Sequence, residues 1–133
     1  MSGISHYNPP ELPVPSGYSH ASSGSGELVF VGGQVGCDVS GRILEPGDMA
    51  AQFGRAIRNV GIALAAADCG PADVVKVNYL VTDVDAYRAS LKPIGAHYRE
   101  VFGRHFPAST LVEVKGLFDP DALVEIEAVA IRG

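Results

Sequence analysis

The sequence has little of several residue types on which common protein classes depend. It contains no tryptophan and only 2 cysteines in 133 residues, too few for a scaffold held together by disulfides. Neither Cys37 nor Cys69 has the neighbouring Cys or His residues that a metal site needs. The 10 Lys and Arg residues are outnumbered by 15 Asp and Glu, which gives a net charge of -5 and no basic field for phosphate groups. We therefore do not expect nucleic acid as a partner.

Long apolar runs are also absent. No stretch approaches the roughly 20 apolar residues that cross a membrane. Residues 1–26 have neither the cationic start nor the apolar region of a secretory signal. Hydrophobic residues still make up 47% of the chain, enough to bury a core. Together these features predict a cytoplasmic globular protein that does not bind membranes.

The chain is predicted to consist of a short lead-in and one domain. Residues 1–17 contain four prolines, which fix the backbone φ angle and remove hydrogen-bond donors, so this segment should run extended along the surface. Residues 18–133 form the single domain. Its first two strands are predicted at 18–22 and 27–36, as a hairpin around a Ser/Gly turn at 22–26.

Helical periodicity is clearest at residues 48–67. Apolar residues recur there at spacings of four, three and four, and Asp48 is placed to stabilise the N-terminus. The apolar positions are Phe53, Ile57, Val60 and Leu64, and the polar side chains predicted to face away from them are Gln52, Arg55, Arg58 and Asn59. A second helical region at 84–102 should divide into two pieces, because Pro93 would break the interior of a continuous helix.

The remaining segments alternate between apolar and polar residues, as strands do. Residues 73–83 predict a central strand. One face of this strand is predicted to carry Val75, Val77, Tyr79 and Val81. Residues 109–117 and 122–133 predict a pair of strands joined by a turn at 118–122. The resulting order, β-β-α-β-α-β-β, indicates an α+β fold with two helices on one face of a mixed sheet.

The last predicted strand is apolar on both of its faces. One side carries Ile126 and Ala128. The other side carries Val129 together with Glu125 and Glu127. Because two helices cannot cover both faces of the sheet, we expect the second face to be buried against another copy of the chain in a homo-oligomer.

Glu125 and Glu127 are the candidate catalytic residues from the pattern alone. They lie two apart on a strand and project to the same face, among apolar neighbours that would raise a carboxyl pKa if the group were buried. Such a carboxyl can act as a general acid or orient a water molecule. Glu113, on the preceding strand, is a candidate third member. The alternative is that these residues are ordinary exposed or interface charges.

Other common catalytic motifs are missing. The four histidines are scattered without metal-ligand spacing, and no GxSxG motif of an acyl-enzyme hydrolase is present. The sequence GGQVG at 32–36 lacks the Lys and Ser/Thr end of a phosphate loop, so it is predicted to be a turn. The pattern therefore predicts no metal site.

Several segments resemble the RidA/YjgF family, whose members are also described as reactive-intermediate deaminases or L-PSP endoribonucleases. The matching segments are GYSHAS at 17–22, LVFVGGQVG at 28–36, Gln52 with Asn59, ADVVKVNYLVTD at 72–83, HYREVFGRHFPAS at 97–109 and PDALVEIEAVA at 120–130. The resemblance implies a chorismate-mutase-like fold and a homotrimer whose sheets form a central barrel, with small-molecule clefts between subunits. It also implies that no metal or organic cofactor is needed.

The resemblance further implies roles for individual residues. Glu125 matches the family carboxylate that positions an attacking water, and Tyr18 and Ser19 match residues at the mouth of the cleft. The backbone carbonyl of Leu111 falls where the family holds an imine nitrogen. The implied reaction is addition of water to a C=N carbon, followed by loss of ammonia.

Two positions depart from the deaminase pattern. The resemblance implies an Arg directly after a Pro-Ala pair, which clamps the substrate carboxylate, but Ser109 stands there. Gly95 stands where many deaminases have an Asn. The basic residues nearest in the sequence are Arg104 and Lys115, and neither is placed to replace the missing Arg.

Two functions remain open at this point. The first is an imine or enamine deaminase with altered substrate preference, in which the hydroxyls of Ser109 and Thr110 bind a neutral or differently shaped ligand. The alternative is a non-catalytic trimeric module that binds a small ligand or another protein. RNA cleavage follows only from the older family description, and the acidic net charge argues against it.

Overall fold

The computed structural model describes residues 3–133. Their strands are β1 (Ser5–Tyr7), β2 (Ala21–Ser23), β3 (Glu27–Val35), β4 (Val74–Val81), β5 (Ala108–Glu113) and β6 (Val124–Arg132). Their helices are α1 (Met49–Ala66), α2 (Val84–Ala89) and α3 (Leu91–Phe102), and a 3-10 turn at Pro71–Asp73 precedes β4. Within this part of the chain, no helix is long and apolar enough to cross a membrane.

The main sheet is mixed and has the strand order β3-β6-β4-β5. Strand β6 is antiparallel to both β3 and β4, whereas β5 is parallel to β4. Buried residues of α1 and α3 form one hydrophobic core with the side chains on one face of this sheet. The expected α+β class is confirmed, with helices packed on one face of a mixed sheet.

Helix α1 follows the pattern that predicted it. Its N-cap residue Asp48 accepts a hydrogen bond from the backbone N–H of Ala51, which satisfies one of the free donors of the first turn. The predicted core residues are at most 1% exposed, namely Phe53, Ile57, Val60 and Leu64. The break predicted at Pro93 is also present, since α2 ends at Ala89 and α3 contains Pro93 in its first turn.

The prediction that Gln52 faces away from the core is wrong. Its side chain is fully buried, and its amide nitrogen donates to the carbonyls of Glu45 at 2.9 Å and Asp121 at 3.1 Å. Its amide oxygen accepts a hydrogen bond from the backbone N–H of Leu123 at 2.8 Å. A buried amide is stable only when hydrogen-bonded, and here the partners come from loops that helical periodicity does not reveal.

Strand β4 is confirmed as an interior strand, because it lies between β6 and β5. Three of the four predicted core positions are buried, namely Val77, Tyr79 and Val81. The pairing with β6 shifts register between Val74 and Lys76. This irregularity turns Val74 into the core, whereas Val75, predicted to lie there, is only partly buried.

Two predicted strand pairings are wrong. Strand β2 pairs with β1 of the lead-in rather than with β3, and β5 pairs with β4 rather than with β6. A helical crossover places β5 parallel to β4, and β6 then enters the sheet between β4 and β3. Alternation in a sequence indicates that strands are present, but it does not indicate which strands are neighbours.

Strand β1 of the lead-in and β2 of the domain form a two-stranded ribbon, and His6 of β1 contacts His105. The His6 ring centroid lies 5.0 Å from that of His105, and its Nδ1 is 3.0 Å from Oγ of Ser22. Burial lowers the pKa of His6 below its usual value, and the nearby His105 lowers it further. The folded ribbon therefore favours the neutral form of His6.

Docking of this ribbon is expected to weaken in acid. A pKa that is lowered by folding gives stability that is present above the unfolded His pKa of about 6.5 and is lost as pH falls through the lowered value. Proteolysis within residues 8–20 should therefore accelerate between about pH 7.5 and pH 5, relative to an unstructured reference peptide. His6→Gln should remove this dependence, and an unchanged pH profile in that variant would contradict the assignment to His6.

Candidate functional site

A cleft of about 630 Å³ opens between α2, α3, β5 and the segment before β2. Its walls carry four tyrosines and two phenylalanines. Among residues 3–133, Arg99 is the one charged residue that lines it. A concave, mostly apolar site of this size with few polar groups is typical of small-molecule binding.

Three of the predicted ligand-binding residues line this cleft. Tyr18 comes from the segment before β2, and Ser109 and Leu111 come from β5. Ser109 pairs with Val77 and Leu111 pairs with Tyr79, so both project to the core-facing side of the sheet. The fold thus joins at one site residues that are distant in the sequence.

Ser19 is buried next to Tyr18, and its side chain holds other parts of the chain together. Its hydroxyl donates to the carbonyl of Phe106 at 2.6 Å, and its backbone N–H donates to the carbonyl of Pro107 at 3.2 Å. These bonds tie the segment that carries Tyr18 to the start of β5. In this chain Ser19 therefore positions Tyr18 rather than lining the cleft itself.

Thr110 lies on the opposite face of the sheet from Ser109, because successive residues of a strand alternate. It is exposed, and its hydroxyl accepts a hydrogen bond from Nζ of Lys76 at 2.8 Å. The structure therefore separates the two hydroxyls that the sequence placed side by side.

The sheet face that points away from the helices, called the outer face below, carries Glu125. The backbone of Glu125 pairs with Val35 in β3 and Leu80 in β4. A Cβ atom on Gly33 would lie only 1.8 Å from Oε2 of Glu125, so the carboxylate rests directly on the backbone of β3. No residue of 3–133 donates a hydrogen bond to this carboxylate. Its oxygens are therefore free to orient a water molecule or accept a proton.

The two other candidate carboxylates are hydrogen-bonded. Glu127, also on the outer face, accepts a hydrogen bond from Nδ2 of Asn78 at 3.1 Å. Glu113 accepts one from the backbone N–H of Val84 at 2.9 Å, at the start of α2. Because Glu113 pairs with Val81, it projects to the core-facing side. The idea that Glu113 joins Glu125 and Glu127 is therefore wrong.

Within one chain, the cleft and the Glu125 carboxylate lie on opposite sides of the sheet. Ser109 and Leu111 project toward the helices, whereas Glu125 projects from the outer face. Residues 3–133 also contain no group of three His, Cys, Asp or Glu side chains placed to hold a metal.

Burial raises the pKa of three phenol groups in the cleft, those of Tyr79, Tyr87 and Tyr98. It raises the pKa of Tyr87 to about 12, and it raises the pKa values of Tyr79 and Tyr98 well above the usual value for tyrosine. The Tyr98 hydroxyl donates a hydrogen bond to the carbonyl of His105. These three phenols are thus uncharged at neutral pH, and Arg99 supplies the charge of the cleft.

Arg99 is the cleft residue that sequence reasoning missed. Arg104 and Lys115 are nearer to Ser109 in the sequence, but the cleft places Arg99 of α3 with Ser109 of β5. The Arg99 Nη1 atom lies 3.2 Å from the position that a Cβ atom on Gly95 would occupy. Residues four apart share one face of a helix, so Gly95 and Arg99 lie side by side on α3. This spacing in the sequence could have indicated that Arg99 lies at the cleft.

Comparison with known proteins identifies the family. Residues 11–132 match the model of the family described as Endoribonuclease L-PSP. The chain belongs to this family. The match spans the cleft residues of α3 and β5 as well as Glu125, so the resemblance inferred from the sequence is confirmed.

Relatives in the Endoribonuclease L-PSP family carry deaminase, RutC and Rid names. A human protein named 2-iminobutanoate/2-iminopropanoate deaminase is 33% identical over 105 residues, which cover 79% of this chain and 73% of that protein. A RutC family protein of Pyrococcus abyssi is 35% identical over 123 residues, 92% of each chain. The crystal structure of a conserved Rid family protein of unknown function from Yersinia pestis is similar with a TM-score of 0.83, at 30% identity, over 98% of this chain and 99% of that one.

Proposed function

We propose that the protein is a deaminase that hydrolyses the C=N bond of reactive imines and releases ammonia. The observation that carries this proposal is the free carboxylate of Glu125, held against Gly33. A carboxylate with no protein donor is available to bind a water molecule and accept its proton. The name of the human relative, which is an imine deaminase, supports the same class of reaction.

The proposed reaction consumes one water molecule for each imine. The water oxygen bonds to the imine carbon while Glu125 accepts a water proton. That proton passes to the imine nitrogen, which gives a carbinolamine. The proton of its new hydroxyl group then moves to the same nitrogen as the C–N bond breaks, and the products are a carbonyl compound and ammonia. The backbone carbonyl of Leu111, on the edge strand β5, accepts a hydrogen bond from the imine N–H and orients the carbon toward the water.

A homotrimer would bring the Glu125 carboxylate to the cleft. The outer face exposes large apolar side chains, with Phe30 at 73%, Leu28 at 57% and Val112 at 45% of their full accessibility. A surface of this kind is commonly buried in an assembly. We infer that three copies pack their outer faces around a shared axis, as the family resemblance implies. Each site then combines the cleft of one copy with Glu125 of its neighbour.

Ammonia release by the purified protein is the direct test of this function. Imines generated enzymatically from amino acids should be hydrolysed above the spontaneous rate, and small 2-imino acids should be compared with bulkier and neutral imines. The alternative, a non-catalytic module that binds a small ligand or a protein, is favoured by Ser109 at the clamp position. Ligand binding without turnover of any imine would support that alternative and overturn the deaminase proposal.

Ser109 is proposed to change which imines are preferred. Ser109→Arg restores a bidentate donor for a carboxylate, and we expect kcat/KM for 2-iminopropanoate to rise by about 30-fold or more. The matched control is Ser109→Gln, which adds similar length without charge and should give no such gain. Equal values of kcat/KM for Ser109→Arg and the unchanged protein would show that the missing Arg does not limit activity.

A further inference from the structure

The guanidinium of Arg99 is unused by the fold. Three other arginines form ion pairs, in the pairs Arg58 with Glu100, Arg88 with Asp85 and Arg132 with Glu27. No residue of 3–133 accepts a hydrogen bond from the Arg99 side chain or forms an ion pair with it. An unpaired guanidinium at the wall of an apolar cleft is suited to bind an anion that enters from solution.

Gly95 leaves room for the side chain of Arg99. The Nη1 atom of Arg99 lies 3.2 Å from where a Cβ atom on Gly95 would be, so a larger residue at 95 would press on the guanidinium. The glycine lets the side chain lie along α3, one turn toward its N-terminus and beside the cleft. Gly95 and Ser109, the two departures from the deaminase pattern, both line the cleft that contains Arg99.

We propose that Arg99, on α3, binds the carboxylate of the ligand, which is the role that the family resemblance implies for an Arg at the position of Ser109. This proposal rests on the proposed deaminase function for its substrate class, a 2-imino acid. The acid group then lies on the helical side of the cleft, and the rest of the ligand extends along the walls of the cleft.

The walls of the cleft indicate the substituent of this acid. They include Tyr87, Leu91 and Ile94 from the helices, and they continue to Phe106 near β5. In one chain the cleft measures about 630 Å³, which is more space than a two- or three-carbon acid fills. The favoured substrates are therefore 2-imino acids with an aryl or branched alkyl side chain, rather than 2-iminopropanoate.

Acid binding can be measured without turnover, by the protein's own fluorescence. The chain has no tryptophan, and 4 of its 5 tyrosines line the cleft, namely Tyr18, Tyr79, Tyr87 and Tyr98. The probes are 3-phenylpropanoate and its uncharged amide, titrated into the full-length protein at neutral pH. A second measurement by calorimetry gives the same dissociation constants independently of the tyrosines.

Arg99→Gln is expected to weaken binding of 3-phenylpropanoate by about 10-fold, the value for one charge-assisted hydrogen bond lost at an exposed position. Binding of the amide should not change. Arg88→Gln is the matched control, because Arg88 is an exposed arginine on the neighbouring helix α2 that does not line the cleft. It should bind the acid as tightly as the unchanged protein.

Three results would overturn the role of Arg99. They are failure of the unchanged protein to bind the acid, equal affinity in Arg99→Gln, and an equal loss in Arg88→Gln. The ammonia assay reports separately on the deaminase function. A protein that binds the acid through Arg99 but hydrolyses no imine would retain this inference as a ligand-binding site and reject the proposed reaction.

Discussion

Replacement of Glu125 by Gln is expected to lower the rate of ammonia release by about 10²- to 10⁴-fold. The amide keeps the shape of the carboxylate on Gly33, but it cannot accept the proton of the attacking water. Binding of 3-phenylpropanoate should change little, because Arg99 and the apolar walls that are proposed to bind the acid are unaltered. The measurement is kcat and KM for ammonia release, together with the dissociation constant of the acid.

Glu127→Gln is the matched control for this experiment. Glu127 lies two residues further along β6 on the same outer face, and its carboxylate is held by Asn78 rather than free. Its replacement should leave kcat within a few-fold of the unchanged protein. Equal losses in the two variants would mean that the outer face needs negative charge in general, and unchanged turnover in Glu125→Gln would remove Glu125 from the mechanism.

Phe30→Glu is expected to convert the assembly into single chains. Phe30 is exposed on the outer face that is proposed as the interface, and a charged side chain placed there would have to lose its hydration on association. Light scattering should then give a mass near 13.9 kDa instead of a value about three times larger. Ammonia release should fall with the trimer, because each site needs Glu125 of a neighbouring copy.

Ile62→Glu is the control for the interface. Ile62 is 68% exposed, close to the 73% of Phe30, but it lies on α1, on the other side of the sheet. The same substitution there should leave the mass unchanged. A mass of one chain for the unchanged protein at micromolar concentration would reject the shared interface altogether.

Those parts of the fold that depend on interactions between residues near each other in the sequence could be predicted. Helix α1 and the break at Pro93 follow from side-chain period and backbone chemistry, which act within a few residues. The pairing of β5 with β4 could not be predicted, because it is decided by the crossover through α2 and α3. The burial of Gln52 has a similar origin, since one of its partners, Asp121, lies in a loop 69 residues away in the sequence.

The candidate site could also be predicted only in part. Tyr18, Ser109 and Leu111 were expected together and do line one cleft. Thr110 was assigned to the ligand by its position next to Ser109, but strand alternation turns it to the other face. The place of Arg99 in the cleft is not evident from the residues around Ser109 in the sequence, because the cleft is formed by α3 as well as by β5.

The bonds made by Ser19 and its neighbours have a consequence for solubility. Strand β5 is an edge of the main sheet, and unpaired backbone groups on an edge are templates for strand pairing between molecules. Here the Pro107 carbonyl accepts a bond from the Ser19 N–H, and the Ala108 N–H donates to Oγ of Ser22 at 2.9 Å. The N-terminal segment therefore shields the beginning of this edge. Removal of the segment that contains Ser19 and Ser22 would leave the Pro107 carbonyl and the Ala108 N–H free to pair with a strand of another molecule, which favours aggregation.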